Sequence, residues 1–176
     1  MSPVTRNRVA GLVLAAVIAI IDQVVKYIVV GPLRLREVGH IDLLPFFDFT
    51  FTPNYGISLG LFTATSMEMR WILVVVTGLI AAAVMVWMLR ERRFGDIAPL
   101  ALILGGALGN IRDRFVLGYV IDYADLHIGS FRPFLIFNIA DAAITIGVVL
   151  LLLRSLFIRD KPEDATSKPE NAAEIP

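Results

Sequence analysis

Four long apolar segments constrain the fold of this chain more than any other feature. They cover residues 9–30, 71–89, 97–113 and 136–158. A helix crosses the ~30 Å hydrocarbon core of a bilayer with about 20 mostly apolar residues, and it satisfies its own backbone hydrogen bonds there. The sequence therefore predicts an α-helical integral membrane protein with four transmembrane helices.

The composition leaves little room for anything beyond this bundle. Hydrophobic residues make up 57% of the 176 residues, whereas soluble domains contain about 45–50%. We therefore predict a single membrane domain over residues 1–158. Residues 159–176 are polar, contain proline and lack periodicity, which is typical of a disordered tail.

Positive charges predict the orientation of the bundle. Arg6 and Arg8 precede the first apolar segment, three arginines lie within residues 90–93, and Arg154 and Lys161 flank the last segment. Because short connections rich in Lys and Arg stay in the cytoplasm, we expect both termini and the tail to be cytoplasmic. The two longer connections, about 36–65 and 116–132, then lie outside.

Both outer connections contain strand patterns. Aromatic and polar residues alternate along residues 47–52, and β-branched and aromatic residues fill residues 119–123. Alternation with a period of two is typical of a half-buried strand. We therefore expect a small extracytoplasmic sheet in which the two connections pair.

The charges and reactive residue types exclude several function classes. The formal net charge is zero, and the chain contains no cysteine and two histidines, His40 and His127. The charge gives no indication of a nucleic-acid partner, and disulfides or thiolate catalysis are excluded. Because the two histidines are distant in sequence and lie in no metal-binding motif, we expect no metal site and no cofactor.

Charged residues inside the apolar segments need a partner or a purpose, because each costs about 2.5–3.5 kcal/mol at the bilayer centre. Asp22 and Lys26 are four residues apart, in the favourable order for a helical ion pair. The pair either has a purely structural role or lines a functional groove. Gly105 and Gly109 form a G-x-x-x-G step, which predicts close helix packing.

A second group of polar residues surrounds two aspartates. Asn110 and Arg114 lie four apart at the end of the third segment, before Asp122, while Asn138 and Asp141 share a face of the fourth segment. Asp141 could cap a helix start, where negative charge is favourable. Its position several residues inside the apolar run argues against capping as its only role.

Asp122 and Asp141 suggest a catalytic pair. Both fall near the outer membrane surface, on elements that a short connection can bring together. Two carboxylates in a poorly hydrated site cannot both ionise at low cost, so they share one proton. One carboxylate can then activate water while the other donates a proton to a peptide carbonyl, as in aspartic proteases.

Five motifs in order along the chain resemble those of one enzyme family. They contain Asp22 and Lys26; Asn54, Gly56 and Ser58; Gly109, Asn110, Asp113 and Arg114; Val120 and Asp122; and Asn138, Ala140 and Asp141. With these motifs, the chain resembles the bacterial lipoprotein signal peptidases, also called signal peptidase II, over nearly its whole length up to the tail.

This resemblance implies an activity, a substrate and a location. It implies a four-helix membrane aspartyl endopeptidase with an extracytoplasmic β-cradle. We expect a monomer in contact with membrane lipid. Its substrate would be a prolipoprotein whose cysteine carries diacylglycerol, cleaved just before that cysteine. The enzyme would lie in the bacterial cytoplasmic (inner) membrane, with its active site near the outer leaflet.

The resemblance also assigns roles to individual residues. The catalytic pair of the family matches Asp122 and Asp141. The supporting polar positions match Asp22, Lys26, Asn54, Gly56, Asn110, Arg114, Asn138 and Ala140. The chain departs from the family's pattern at two positions of that loop: Leu59 stands where the family commonly has phenylalanine, and Pro53 directly precedes Asn54.

Three other functions compete with this interpretation. Asp125, His127 and Ser130 are the residue types of a nucleophilic triad, but they crowd one short loop without a nucleophile elbow. A small proton-coupled membrane transporter would also use Asp and Lys, although near the midplane and commonly with inverted repeats. A non-enzymatic assembly factor is the third alternative.

Overall fold

A computed structural model describes residues 1–56 and 67–157. The predicted tail, 159–176, lies outside the described residues, as do Ser58 and Leu59 of the first long connection. The described elements, in chain order, are α1 (Pro3–Val30), α2 (Leu35–Val38), β1 (His40–Leu44), β2 (Phe47–Asn54), α3 (Met67–Arg90), α4 (Phe94–Val116), β3 (Val120–Leu126) and α5 (Ile139–Phe157).

The four predicted transmembrane helices are confirmed as α1, α3, α4 and α5, each long and apolar enough to cross a membrane. Their ends differ from the predicted ones. Helix α1 begins at Pro3 instead of residue 9, because Ser2 Oγ accepts a hydrogen bond from Thr5 N and proline suits the first helical turn. Hydrophobicity marks the part of a helix inside the bilayer, whereas capping decides where the helix begins.

Helix α4 lies at the centre of the bundle and contacts the other three long helices. Glycines permit this close approach. A methyl group on Gly105 would come within 2.6 Å of the Ala15 carbonyl oxygen of α1, and one on Gly106 would overlap the Ala140 carbonyl oxygen of α5. The close packing that the G-x-x-x-G step predicts is therefore present between α1 and α4.

The outward faces of the bundle are apolar and exposed. Ile20 in α1, Leu79 in α3 and Leu152 in α5 are 61%, 66% and 58% exposed. Large contiguous apolar patches are rare on soluble monomers, but they suit helices whose outer surface contacts lipid. The fold therefore matches the predicted α-helical integral membrane protein.

A three-stranded antiparallel sheet, in the order β1-β2-β3, lies at one end of the bundle. The expected pairing of the two long connections is confirmed, because β2 pairs with β3 and places Thr52 opposite Asp122. Apolar residues of the sheet, including Ile121 and Tyr123, pack with Val29 of α1 and with Leu35 of the unpredicted helix α2. This packing joins the sheet firmly to the bundle.

Candidate active site

Asp122 and Asp141 lie at the same end of the bundle, where α4 ends and α5 begins. Asp122 is on β3, which follows α4 after a short turn. The segment before α5 returns to β3, since Phe137 N donates to Ala124 O at 3.1 Å and Ala124 N donates to Phe137 O at 2.8 Å. This backbone bridge brings the residues that begin α5 beside Asp122.

The Asp122 carboxylate is buried and accepts two side-chain hydrogen bonds. It is 3% exposed. Asn54 Nδ2 donates to Oδ2 at 3.0 Å, and Asn138 Nδ2 donates to Oδ1 at 2.6 Å. Both oxygens of this carboxylate are therefore held by amides from separate parts of the chain.

Asp141 lies in the first turn of α5 and forms a reciprocal cap with Asn138. Asp141 N donates to Asn138 Oδ1 at 2.9 Å, and Asn138 N donates to Asp141 Oδ2 at 3.3 Å, as in a capping box. The predicted helix start at residue 136 is therefore wrong by three residues. Asp141 does contribute to capping, but its Oδ1 also accepts from Asn110 Nδ2 at 2.8 Å.

Asn138 connects the two aspartates. It is fully buried. Its side-chain Nδ2 donates a hydrogen bond to Asp122, and its side-chain Oδ1 accepts one from the backbone N–H of Asp141. Asn110 Oδ1 lies 3.3 Å from Asn138 Nδ2, so the two asparagines also contact each other. Four side chains thereby form one continuous polar network at the end of an apolar bundle.

A buried charge cluster lies next to this network. Lys26 Nζ is 2.9 Å from Asp22 Oδ2 and 2.8 Å from Asp113 Oδ2, and all three side chains are at most 2% exposed. The structural pairing expected for Asp22 and Lys26 is therefore present. Asp113 was not assigned a role from the sequence, although its spacing of four from Gly109 places it on the helix face that packs against α1.

The charge cluster positions the elements that carry the two aspartates. Asp22 Oδ1 accepts a hydrogen bond from Ala140 N at 3.1 Å, directly before Asp141. Asp113 Oδ2 accepts one from Ile121 N at 3.3 Å, directly before Asp122. Each carboxylate of the cluster therefore holds the backbone next to one member of the pair.

Lys26 also orients Asn110. Lys26 Nζ donates to Asn110 Oδ1 at 3.2 Å. Because the carbonyl side of this amide faces the ammonium group, its Nδ2 is directed to Asp141. Gln23, which the sequence did not indicate, adds bonds from Nε2 to Asp22 Oδ2 and Asp113 Oδ1 at 3.1 and 2.9 Å.

Arg114 and Gly56 complete the group of predicted residues. Arg114 donates from a terminal nitrogen to Gly56 O at 2.8 Å, and Gly56 N donates to Asn54 Oδ1 at 3.0 Å. Arg114 Nε is buried and has no hydrogen-bond partner within residues 1–56 and 67–157. Arg70, also missed from the sequence, caps α4 by donating from Nε to Arg114 O at 2.9 Å.

The electrostatics of the pair favour a bound proton. Burial, followed by the negative charge of Asp141, raises the pKa of Asp122 from 3.8 to about 7, despite the hydrogen bonds from Asn54 and Asn138. Two carboxyl groups that share one proton can act as a general acid and a general base at neutral pH. This arrangement can activate water and protonate a carbonyl oxygen in the same step.

The residues of the alternative triad do not assemble into one. Asp125 accepts a hydrogen bond from Thr50 Oγ1 at 3.2 Å. Arg132 Nε lies 3.0 and 3.1 Å from its two carboxylate oxygens. His127 instead lies 2.7 Å from Asp48, and Ser130 is exposed. These partners leave Asp125 and His127 without the mutual contact that a nucleophilic triad requires.

Comparison with a family model gives a match over residues 14–157, to the family described as signal peptidase (SPase) II. Among curated relatives, a lipoprotein signal peptidase of Sphingopyxis alaskensis is 57% identical over 159 residues, covering 90% of this chain and 92% of the relative. A lipoprotein signal peptidase of Rhizorhabdus wittichii is 50% identical, covering 88% of this chain and 90% of the relative.

Two solved structures have a similar fold. A bacterial membrane enzyme determined by the in meso method at 2.3 Å resolution aligns with a TM-score of 0.72 and 28% identity, covering 94% of both chains. A second, determined at 1.9 Å resolution, aligns with a TM-score of 0.71 and 30% identity, covering 84% of this chain and 93% of the other. The helices and sheet thus have a close counterpart among known membrane enzymes.

Proposed function

Because the chain belongs to the signal peptidase II family, we propose that it is an aspartyl endopeptidase acting on prolipoproteins whose cysteine carries diacylglycerol. It cleaves just before that cysteine and releases the signal peptide. The observation that carries this proposal is the linked pair Asp122 and Asp141, each oriented by asparagine amides at one end of a transmembrane bundle.

The proposed reaction uses both members of the pair. The ionised carboxylate removes a proton from water, and the water oxygen attacks the peptide carbonyl carbon. The protonated carboxyl donates its proton to the carbonyl oxygen, which gives a tetrahedral intermediate. When the intermediate collapses, the C–N bond breaks and the protonated carboxyl donates its proton to the amine nitrogen. One hydroxyl of the intermediate gives its proton to the ionised carboxylate as the carbonyl re-forms, so the dyad again holds one proton.

The surrounding residues have positioning roles in this proposal. Asn54 and Asn138 hold the Asp122 carboxyl, and Asn110 holds Asp141. Preorganised donors reduce the reorganisation needed when charge develops in the transition state. The positive charge of Arg114 interacts electrostatically with both carboxyl groups and favours negative charge there, while Asp22, Lys26, Gly56 and Ala140 maintain the shape of the site.

The proposed location follows from the position of the pair and from the charges of the chain. The family and the four helices fit a bacterial inner-membrane protein. We propose that both termini are cytoplasmic and that the pair faces the outer leaflet, since the arginines of the 90–93 connection lie at the opposite end of the bundle. A reporter fused after Lys161 should be detected on the cytoplasmic side, and external detection would reverse the orientation.

We expect the purified enzyme, in detergent or lipid nanodiscs, to cleave a diacylglyceryl prolipoprotein and to leave the same precursor with an unmodified cysteine intact. Mass spectrometry should show a product whose first residue is the lipidated cysteine. Equal cleavage of both precursors would contradict the lipid requirement. Proton flux in sealed vesicles without any released peptide would instead support the transporter.

The raised pKa of Asp122 predicts an alkaline loss of activity near pH 7. Below that pH the pair retains its shared proton, whereas above it the general acid is lost, so kcat/KM should fall as pH rises. The same proton favours the folded state most below the ordinary pKa of 3.8, and this contribution to stability disappears as pH rises through about 7.

The source of this alkaline limb can be tested through Asn54. The hydrogen bond from Asn54 lowers the pKa of Asp122, so Asn54→Ala should move the limb to higher pH. Glu37→Gln, at an exposed acid that pairs with Arg34, should leave the profile unchanged. An unshifted limb in the Asn54 variant would separate the pH dependence from Asp122.

A further inference from the structure

The sheet places three aspartates side by side in a row distinct from the proposed catalytic pair. Asp42 lies opposite Asp48, and Asp48 lies opposite Asp125. Like charges directly opposite one another destabilise a sheet. Asp125 is neutralised by Arg132, whereas Asp42 and Asp48 are met by the imidazoles of His40 and His127. The β1–β2 half of the row therefore favours an additional cation.

In the neutral form of the His40 ring, its hydrogen bond to Thr50 directs the lone pair of Nε2 at these carboxylates. Thr50 Oγ1 donates its proton to Asp125 Oδ2 at 3.2 Å, so His40 Nδ1, at 2.8 Å, acts as the donor to Thr50. In the neutral ring Nε2 then has no proton. It nevertheless lies 2.9 Å from Asp42 Oδ1 and 3.5 Å from Asp48 Oδ2. A cation between these atoms would remove the repulsion.

His127 approaches Asp48 in the same way. Its Nε2 is buried and lies 2.7 Å from Asp48 Oδ2, which makes an ion pair when the ring is protonated. The Asp48 side chain is itself 8% exposed, and its Oδ1 is held by Leu43 N at 3.2 Å. Two imidazoles thus approach the same oxygen of one fixed carboxylate.

The spacing of these atoms suits a transition metal ion. The ligand atoms of His40, Asp42 and Asp48 all lie within 4.8 Å of one another. Zn²⁺ binds nitrogen and oxygen at ~2.0–2.2 Å, so neighbouring ligands of a tetrahedral site are about 3.3–3.5 Å apart. Asp42 is 94% exposed and can adjust to this distance. The Thr50 contact to His40 is the orienting bond that metal-binding histidines usually have.

We propose that the sheet binds one Zn²⁺ ion through His40 Nε2, Asp42 Oδ1 and Asp48 Oδ2, with water in the fourth position. The ion would link β1 to β2 and so clamp this hairpin of the sheet. Strand pairing brings Asp48 of β2 beside His40 and Asp42 of β1. This site takes no part in the proposed hydrolysis.

The test measures Zn²⁺ binding to the full chain in detergent after removal of any affinity tag. Isothermal titration should give one saturable site, and saturating Zn²⁺ should raise Tm, reversibly on addition of EDTA. His40→Ala and Asp48→Asn should each weaken binding at least about 100-fold, and Thr50→Val should weaken it about 10–100-fold.

Two controls separate this site from the rest of the molecule. Glu37→Gln removes an exposed carboxylate outside the row and should bind Zn²⁺ like the parent protein. Asp141→Asn should also bind normally, so that failure of the proposed peptidase function leaves this test intact. Absence of one-site binding, or equal affinity of the His40 and Asp48 variants and the parent, would overturn the proposal.

Discussion

Replacing Asp122 or Asp141 by asparagine is expected to lower the rate of prolipoprotein cleavage by about 10²–10⁴-fold or more. Asparagine has nearly the shape of aspartate, so packing around β3 and the start of α5 is preserved. It can neither accept a proton from water nor deliver one to the carbonyl oxygen. The measurement is the single-turnover cleavage rate of the lipidated precursor by each purified variant.

Asp125→Asn is the matched control for this experiment. Asp125 lies on the same strand as Asp122 and is equally buried, but it contacts Thr50 and Arg132 and not the pair. Its replacement should leave the cleavage rate of the folded protein close to that of the parent. Wild-type turnover in either Asp122→Asn or Asp141→Asn would rule out the dyad, and loss of turnover only in Asp125→Asn would favour the triad.

Replacing Lys26 by methionine should destabilise the protein by about 3–5 kcal/mol, because it leaves Asp22 and Asp113 buried without their cation. Both carboxylates are at most 1% exposed, so water cannot replace the lost partner. Thermal unfolding in detergent should show a large decrease in Tm. The folded fraction should also lose activity, since Lys26 orients the amide that holds Asp141.

The control for Lys26 is an ion pair of the same charge types on the surface. Arg34 and Glu37 are 2.9 Å apart, with side chains 70% and 64% exposed, and Arg34→Gln should cost no more than about 1 kcal/mol. Adding Asp113→Asn to Lys26→Met should cost less than the sum of the single changes, because the second substitution removes an unpaired charge. An unchanged Tm in Lys26→Met would show that burial of this cluster contributes little.

The sequence by itself determined that the protein folds in a membrane and how many helices cross it, because bilayer thickness imposes a minimum length on every transmembrane helix. It also indicated which polar residues to examine, since charges are costly beside lipid. The predicted helix ends were less accurate. The start of α5 depends on the reciprocal cap between Asn138 and Asp141, and hydrophobicity does not report such a cap.

Only the tertiary structure decided which polar groups meet. Asp113 joins Lys26 because glycines let α4 approach α1, and Asp122 reaches Asn138 because Phe137 pairs with β3. His40 and His127 meet at Asp48 through strand register. The spacing of residues along one helix or strand is local information, whereas these contacts depend on how separate elements pack, which a single sequence pattern does not encode.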